Sequence, residues 1–591
     1  METPTPHIGS RDASFGDAGD KQAPYFASEM AAQDHAAHCD GGGLHDGLDA
    51  GVTANDRRDM QRMGKTQQFR VSTVASRSCP NMSIAPWNLM IFCTEKLSNG
   101  VDDWVYHLCY GHLDHLANVS WELSFGGITA LLTRRRSNTQ GLIAGGMSGL
   151  FWSLCWSHAG QFFIVLSLAE LASMAPTAGG QYHWVSEFAP RQHQKLLSYL
   201  SGWLSTVSWQ SIVALDAFLI GSIIQGLIAL NNDSYSPTRW QGTLLVFASV
   251  IGVSLFNVFA AKHLPLAEGS FVTLYIFSFF PVIVTLLVLA PKQSASDVFT
   301  KFTDNGAGWP SISLTVMVGQ VSSMFVVLGS DSVAHMAEEI RDASVVVPRS
   351  MVWSFILNVP FTFGLLITYL FCIGDVQEAL NSKTGFPFIY VFQNATGSTG
   401  ATTGLTIVVL VLLTMITISS LASTSRQTFA FARDNGLPFA TWLGAVHPSW
   451  HVPVNSVFFT CAFSMAFALI NIGSTVAFNA MLSLSTVALM ATYVVSVGCV
   501  TLKRIRGEQL PLCRWSLGRY GLPINIVALL YSCWSFFWSF WPNSYDINAE
   551  NFNWACVLFV ALMGLSCILY YVKARHVYEG PVVMVEGHKK N

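Results

Sequence analysis

Two carboxylates stand inside otherwise apolar stretches of this sequence, placed where they could hold a cation or a proton. Asp331 lies midway along FVVLGSDSVAHMAEE, directly after Gly329-Ser330. Glu122 lies in VSWELSFGGITALLT, with Ser120-Trp121 before it and Gly126-Gly127 after it. A charge within an apolar span is costly and needs a reason. Glycine lets a helix unwind, and serine can satisfy the backbone groups that unwinding frees. The ends of such half-helices attract a carboxylate, while freed carbonyls coordinate a cation. Glu122 beside Trp121 could hold an amine by charge and cation–π attraction. Trp121 could equally be ordinary core, and a glycine pair can be a packing contact between helices. Asp331 and His335 share a helix face at a spacing of four residues, either as a coupling site or as a structural pair.

A second set of charges sits at two helix ends. Glu338-Glu339 closes one apolar span; Arg426, then Arg433-Asp434, closes another. Opposite charges so placed could form an inner gate that breaks and remakes during alternating access. A reversal of charge at Arg433, rescued by a reversal at Glu339, is the test this pattern suggests. The competing reading is helix-end charges in water, where an ion pair is worth about 0–1 kcal/mol.

No nucleophile–base constellation rises above chance, so no catalytic residues and no enzyme activity are expected. No cofactor is expected either. His35, His38, Cys39 and His45 match no closed metal site, so no metal is expected. The 12 cysteines form no CxxC pair and mostly sit inside apolar runs, which reads as reduced, packed side chains. No pore-filter signature appears, which favours a carrier over a channel.

The elements that position these residues are membrane spans. Of 591 residues only 11% are charged and 51% are hydrophobic, well below the ~25% charge of soluble domains. A net charge of −3 argues against nucleic acid as a partner and leaves the lipid bilayer. Apolar runs at 144–174, 196–230, 240–260, 265–290, 312–337, 350–374, 402–424, 453–472, 475–502, 521–541 and 553–573 give eleven spans. An irregular one at about 119–133 makes twelve, and the fold class is an all-α polytopic membrane protein.

Basic residues set the orientation. With the amino terminus in the cytosol, the inside loops hold Arg191, Lys195, Lys262, Arg341, Arg349, Arg426, Arg433, Lys503, Arg504, Arg506, Arg514 and Arg519. The outside loops hold only Arg239, Lys292, Lys301 and Lys383, with Arg134-Arg135-Arg136 as an anomaly. Sequons at Asn232 and Asn394 both fall outside, where glycosylation occurs.

Residues 1–68 are polar, lack an apolar core segment, and read as a disordered cytosolic tail rather than a signal peptide. The transporter domain then runs over 69–575 and a cytosolic tail over 576–591. Within that domain, 80–118 is too polar to lie in lipid. With that segment removed, the flanking halves join into one span, so it reads as an insertion of the kind a retained intron leaves in a gene model. A genuine extra loop is the alternative.

Three motifs carry a resemblance: MAPTAGGQYHWVSEFAP (174–190), GSDSVAHMAEEIRDASVVVPRSM (329–351) and ASTSRQTFAFARDNGLP (422–438). In this order and topology they resemble the amino acid–polyamine–organocation (APC) superfamily, in its fungal amino acid/choline transporter branch. The resemblance implies about twelve helices, ten of them in a 5+5 inverted-repeat (LeuT-like) core with discontinuous helices 1 and 6. It makes the first motif a cytosolic re-entrant turn. It implies proton-driven import of amino acids, 4-aminobutyrate (GABA), choline or polyamines. Carried onto this chain, the substrate contacts are Ser120, Trp121, Glu122, Phe325, Gly329, Ser330 and Asp331, and the gate is Glu338, Glu339, Arg433 and Asp434.

The chain departs from the family's pattern in two places. The polar insertion interrupts its first span, and the span 265–290 has no lysine to serve a coupling role. PTAGGQYHW looks closer to amino acid or GABA permeases than to choline permeases. A quaternary amine would favour an aromatic cage, which Trp121, Phe325 and Trp209 could build if they converge. Proton symport is expected, in the plasma membrane first and the vacuolar membrane second. A metabolite exporter and a non-transporting nutrient sensor are the alternatives.

Overall fold

The structure, a computed structural model, describes residues 52–65, 68–69, 137–473, 476–542, 544–548, 552–578 and 580–581. Ser120, Trp121 and Glu122, the glycine pair of the first span, the 80–118 segment, Arg134 to Arg136 and the amino-terminal histidines lie outside the described residues.

The chain is built from helices because a backbone in lipid must satisfy its own hydrogen bonds, and an α-helix does so within one segment. A short helix α1 (Ala54–Arg62) comes first. The long elements follow: α2 (Gly146–Met174), the short α3 (Gln181–Phe188), α4 (Gln194–Asn231), α5 (Arg239–Phe259) and α6 (Leu264–Leu289). Next are α7 (Ile312–Gly319), α8 (Val321–Val326), α9 (Ala343–Cys372) and α10 (Thr399–Arg433). The last are α11 (Val454–Gly473), α12 (Val476–Ile505), α13 (Gly521–Trp538) and α14 (Ala555–Leu569). Among the described residues, nine helices are long and apolar enough to cross a membrane, and Ile312–Val326 and Val454–Ile470 are shorter apolar ones. All eleven expected spans coincide with these elements.

α4 is the central post, packed against α10, α12, α5, α3 and α11. Small residues let it approach its neighbours: a Cβ on Gly202 would sit 2.2 Å from the ring of Phe431. The periphery is apolar outward, with Phe277, Phe280, Val284 and Val288 of α6 and Val560, Leu565 and Ile568 of α14 exposed. That is the surface lipid requires and water does not favour.

Loops assigned to the same side by the charge bias touch one another. On the basic side, Arg514 meets Asp342 at 2.9 Å, Arg504 meets Glu170 at 2.7 Å, and Lys503 Nζ donates to the Glu187 carbonyl at 3.2 Å. On the other, Gln293 N donates to the Phe371 carbonyl at 2.7 Å and Tyr545 N to the Ala307 carbonyl at 2.8 Å. Asn232 and Asn394 are exposed on that second side.

The sixth span is broken where its glycine and serine stand. α-Helix ends at Val326, Val327 to Asp331 are unwound, and Gly329 takes φ +101°, which a side chain would resist. A tight 3₁₀ segment, Ser332–Glu339, then leads towards α9. The proline-glycine motif after α2 turns back into the protein: Ala175 to Gly180 and nearly all of α3 are buried.

The amino-terminal segment corrects the expectation of disorder through residue 68. Thr53 and Asp56 form a capping box on α1, a local signal that the polar average of residues 1–68 conceals. Asp56 also accepts from the backbone N–H groups of Asp342 (2.9 Å) and Ala343 (3.1 Å), capping α9 from a distant segment. Met60 and Met63 join the main core, and Phe69 packs edge-to-face on Phe429 with centroids 5.0 Å apart. The other chain end reaches the same place. Tyr578 is buried against Tyr199 and Phe431, and its hydroxyl lies 2.6 Å from Ser198 Oγ.

Candidate functional site

The break in the sixth span presents Asp331 to the protein interior, where the carboxylate is fully buried. Three neutral donors surround it. Tyr493 of α12 donates its hydroxyl to Oδ1 at 2.6 Å, and Trp209 of α4 donates its indole N–H to Oδ2 at 3.2 Å. Gln181, the first residue of α3, donates its amide to the same Oδ2. His335 Nε2 lies 3.5 Å from Oδ2, the nearest basic nitrogen among the described residues. The His335 ring is held from its other side: Nδ1 lies 2.9 Å from the Ala178 carbonyl, and Trp209 stands edge-on to it at 5.5 Å. Gly180 lies so close that a Cβ there would be 2.8 Å from His335 Cε1.

Next to Asp331, the N–H groups of Gly329, Ser330 and Asp331 donate to no backbone carbonyl among the described residues. Consecutive amides of this kind suit an anionic ligand group. Phe325 and Ser330, nearly buried, flank them.

Further towards the basic side lie the charges at the two helix ends. Arg433 grips Glu338 with two parallel hydrogen bonds, Nη1 to Oε2 and Nη2 to Oε1, each 2.8 Å. Arg426 Nε donates to Glu339 Oε1 at 2.8 Å. Asp434 accepts from the Tyr182 hydroxyl at 2.9 Å and from the Lys65 ammonium. The Ala178 N–H donates to Glu338 Oε1 at 3.2 Å. The partner expected for Arg433 was Glu339; in the structure it is Glu338. Successive residues of a 3₁₀ segment point about 120° apart, so the two glutamates face different arginines.

A discontinuous helix lined by buried polar groups, and a closed ring of ion pairs beneath it, is transporter architecture. The sequence profile described as "Amino acid permease" matches residues 123–562. The chain belongs to the amino acid permease family. A protein of Macrophomina phaseolina, provisionally named an amino acid/polyamine transporter, is 33% identical over 70% of this chain and 92% of its own length. Amino-acid permease BAT1 of Arabidopsis thaliana is 30% identical over 78% of this chain and 92% of its own. The choline transporter of Saccharomyces cerevisiae is 25% identical over 74% and 77%. This permease is accordingly a multi-pass membrane transporter and not an enzyme.

In this permease the sixth-span residues Phe325, Gly329, Ser330 and Asp331 lie along the unwound stretch and the helix turn before it, and Glu338, Glu339, Arg433 and Asp434 lie together below it. Ser120, Trp121 and Glu122 lie outside the described residues. Sequence reasoning missed Gln181, Tyr493 and Lys65, which stand 150, 162 and 369 residues from their carboxylate partners. Trp209 was named for an aromatic cage, yet its indole N–H is committed to Asp331. Among the described residues no group of His, Cys, Asp or Glu could hold a metal ion.

Proposed function

We propose that this permease imports small amino acids or related amines, with 4-aminobutyrate as the leading candidate, and that protons drive it. The observation that carries the reading is the unwound segment Val327 to Asp331, which sets three N–H groups that donate to no backbone carbonyl among the described residues beside a buried carboxylate within a permease-family chain. The amide groups suit a substrate carboxylate. Glu122 and Trp121, on the first span, would take the substrate amine, with Ser120 beside them. Phe325, Gly329 and Ser330 form the opposing wall. Glu338 with Arg433, and Glu339 with Arg426, form the inner gate, and Asp434 joins it through Tyr182 and Lys65. With these pairs formed, the inner gate would be shut, a stage from which import can begin by entry at the opposite side.

The family match begins at residue 123, so the 69–79 half-span, the 80–118 segment and Ser120 to Glu122 all lie ahead of it, and the insertion reading rests on the polarity of 80–118. Peptide mapping of the native protein tests it: tryptic peptides from 80–118 would establish the segment as genuine. The plasma membrane is the proposed residence, with the vacuolar membrane second. Glycans on Asn232 and Asn394 would fix the outer face. An endoglycosidase shift lost in Asn232→Gln or Asn394→Gln supports the orientation.

Choline is the second substrate reading, favoured by the similarity to the yeast choline transporter. One experiment separates the two. Labelled 4-aminobutyrate, alanine, lysine and choline are offered at acidic and neutral pH to a permease-deficient fungal host expressing the chain. Faster uptake of an amino acid at acidic pH supports the proposal, and uptake of choline alone replaces it. No uptake by protein confirmed at the membrane would favour a metabolite exporter or a nutrient sensor.

A further inference from the structure

The hydrogen-bond partners of His335 fix where its protons can be. A carbonyl oxygen only accepts, so Nδ1, 2.9 Å from the Ala178 carbonyl, carries hydrogen. In a neutral ring Nε2 is then a bare lone pair, aimed at Asp331 Oδ2 from 3.5 Å. Two lone pairs facing each other in a buried site repel. The contact becomes attractive when one further proton lies in the pair, on Nε2 or on the carboxylate. Oδ2 of Asp331 already accepts from Gln181 and Trp209, and Oδ1 from Tyr493, so the place left for the further proton is Nε2.

The other titratable and charged groups around this pair are engaged with named partners. Tyr493 donates to Asp331 and brings no charge. Tyr182 of α3 donates to Asp434, and His183 of α3 faces Glu187 at 3.8 Å. Glu338 is matched by Arg433, Glu339 by Arg426 and Asp434 by Lys65. With its proton the Asp331–His335 pair is neutral overall. Without it a net negative charge remains buried and uncompensated until water or a cation reaches it.

The same backbone residue that holds His335 also holds the gate. Ala178 accepts from His335 Nδ1 through its carbonyl and donates to Glu338 Oε1 through its N–H. Glu338 in turn is the residue gripped by Arg433. We propose that Asp331 and His335 share the transported proton, and that its presence keeps the Glu338–Arg433 gate closed through Ala178. The proton is taken up from the outer side. On the cytoplasmic side the Nε2–H bond breaks, the proton passes to water, and the uncompensated carboxylate drives hydration of the broken helix and opening of the gate. Asp331 is therefore a proton site beside the substrate rather than a substrate contact. This inference rests on the transport reading above.

The test uses the full chain in proteoliposomes, with labelled 4-aminobutyrate, alanine and lysine as probes. Exchange at equal pH and accumulation driven by an inward proton gradient are measured on the same vesicles. His335→Gln and Asp331→Asn should lower the ratio of accumulation to exchange by roughly tenfold, the loss expected when a ligand no longer biases one of two states. A parental ratio in His335→Gln would overturn the assignment. Should either variant fail to insert, Tyr493→Phe is decisive. It removes one donor to the carboxylate and no charge, so the proton is held more tightly and the pH midpoint of accumulation should rise by about 0.5–1 unit. An unmoved midpoint overturns the proposal. A parent that exchanges but does not accumulate sinks the proton site alone. A parent that exchanges no probe sinks the transport reading, and the proton site with it.

Discussion

The two ends of this permease are closed by different means. At the basic end, buried ion pairs join segments far apart in sequence: Glu338 is 1% exposed against Arg433, and Glu170 is 2% exposed against Arg504. At the other end segments far apart in sequence meet through backbone hydrogen bonds, and the charged contacts are local and exposed. Lys301 meets Asp297 at 3.3 Å with side chains 65% and 33% exposed, and Tyr390 donates to Glu378 twelve residues away. Breaking a buried pair strands a charge, whereas an exposed pair is nearly neutral in water. The costly ion pairs to break therefore lie on the basic side, and Lys301–Asp297 on the other side is a cheap one.

The largest effect should come from the gate. Glu338→Ala leaves Arg433 without its bidentate partner and should cost about 3–5 kcal/mol, read as a lower melting temperature in detergent and greater labelling of cytoplasmic-side cysteines. The swapped double variant Glu338→Arg with Arg433→Glu should recover part of it. A swap at Glu339 instead should not, because Glu339 belongs to Arg426. Arg504→Ala comes next, at about 2–3 kcal/mol, because Glu170 keeps the Leu517 N–H and the Ser516 hydroxyl as donors. Asp56→Ala should cost about 1–2 kcal/mol by uncapping both α1 and α9, seen as faster proteolysis near residue 60. Lys301→Ala should change the melting temperature hardly at all, within about 0.5 kcal/mol. If it proved as costly as Glu338→Ala, the contrast between the two ends would collapse.

A pH measurement sharpens the outer end. Burial, with Glu378 accepting its proton, pushes the Tyr390 phenol up to about 12. The folded chain holds this proton more tightly than an unfolded one, where tyrosine titrates near ~10. The contribution is complete below pH ~10 and is lost as pH rises towards 12. Melting curves should show this alkaline loss in the parent and less of it in Tyr390→Phe.

Hydropathy located every described span, because each is dominated by apolar residues over about the length a bilayer needs. The break in the sixth was legible from Gly329-Ser330 preceding a buried charge. The shell around Asp331 was not. Gln181, Trp209 and Tyr493 sit on three other helices, and nothing in local spacing says which faces converge. The partner of Arg433 was misread because neighbouring glutamates look interchangeable until the handedness and pitch of their segment are known. The docked segment 52–69 was hidden by its polar surroundings, although Thr53 and Asp56 spell a helix start.

Phe69, near the beginning of the chain, and Tyr578, near its end, enter one aromatic cluster beneath α4 and α10. Tyr578 follows the last described span, so a ribosome releases it only after all of those spans have been made. The helices can enter the bilayer one after another, but this aromatic cluster cannot be completed until α14 has been synthesised. A nascent chain stalled just short of Tyr578 would hold every described span and still lack one ring of the cluster that ties its two sequence-distant segments together.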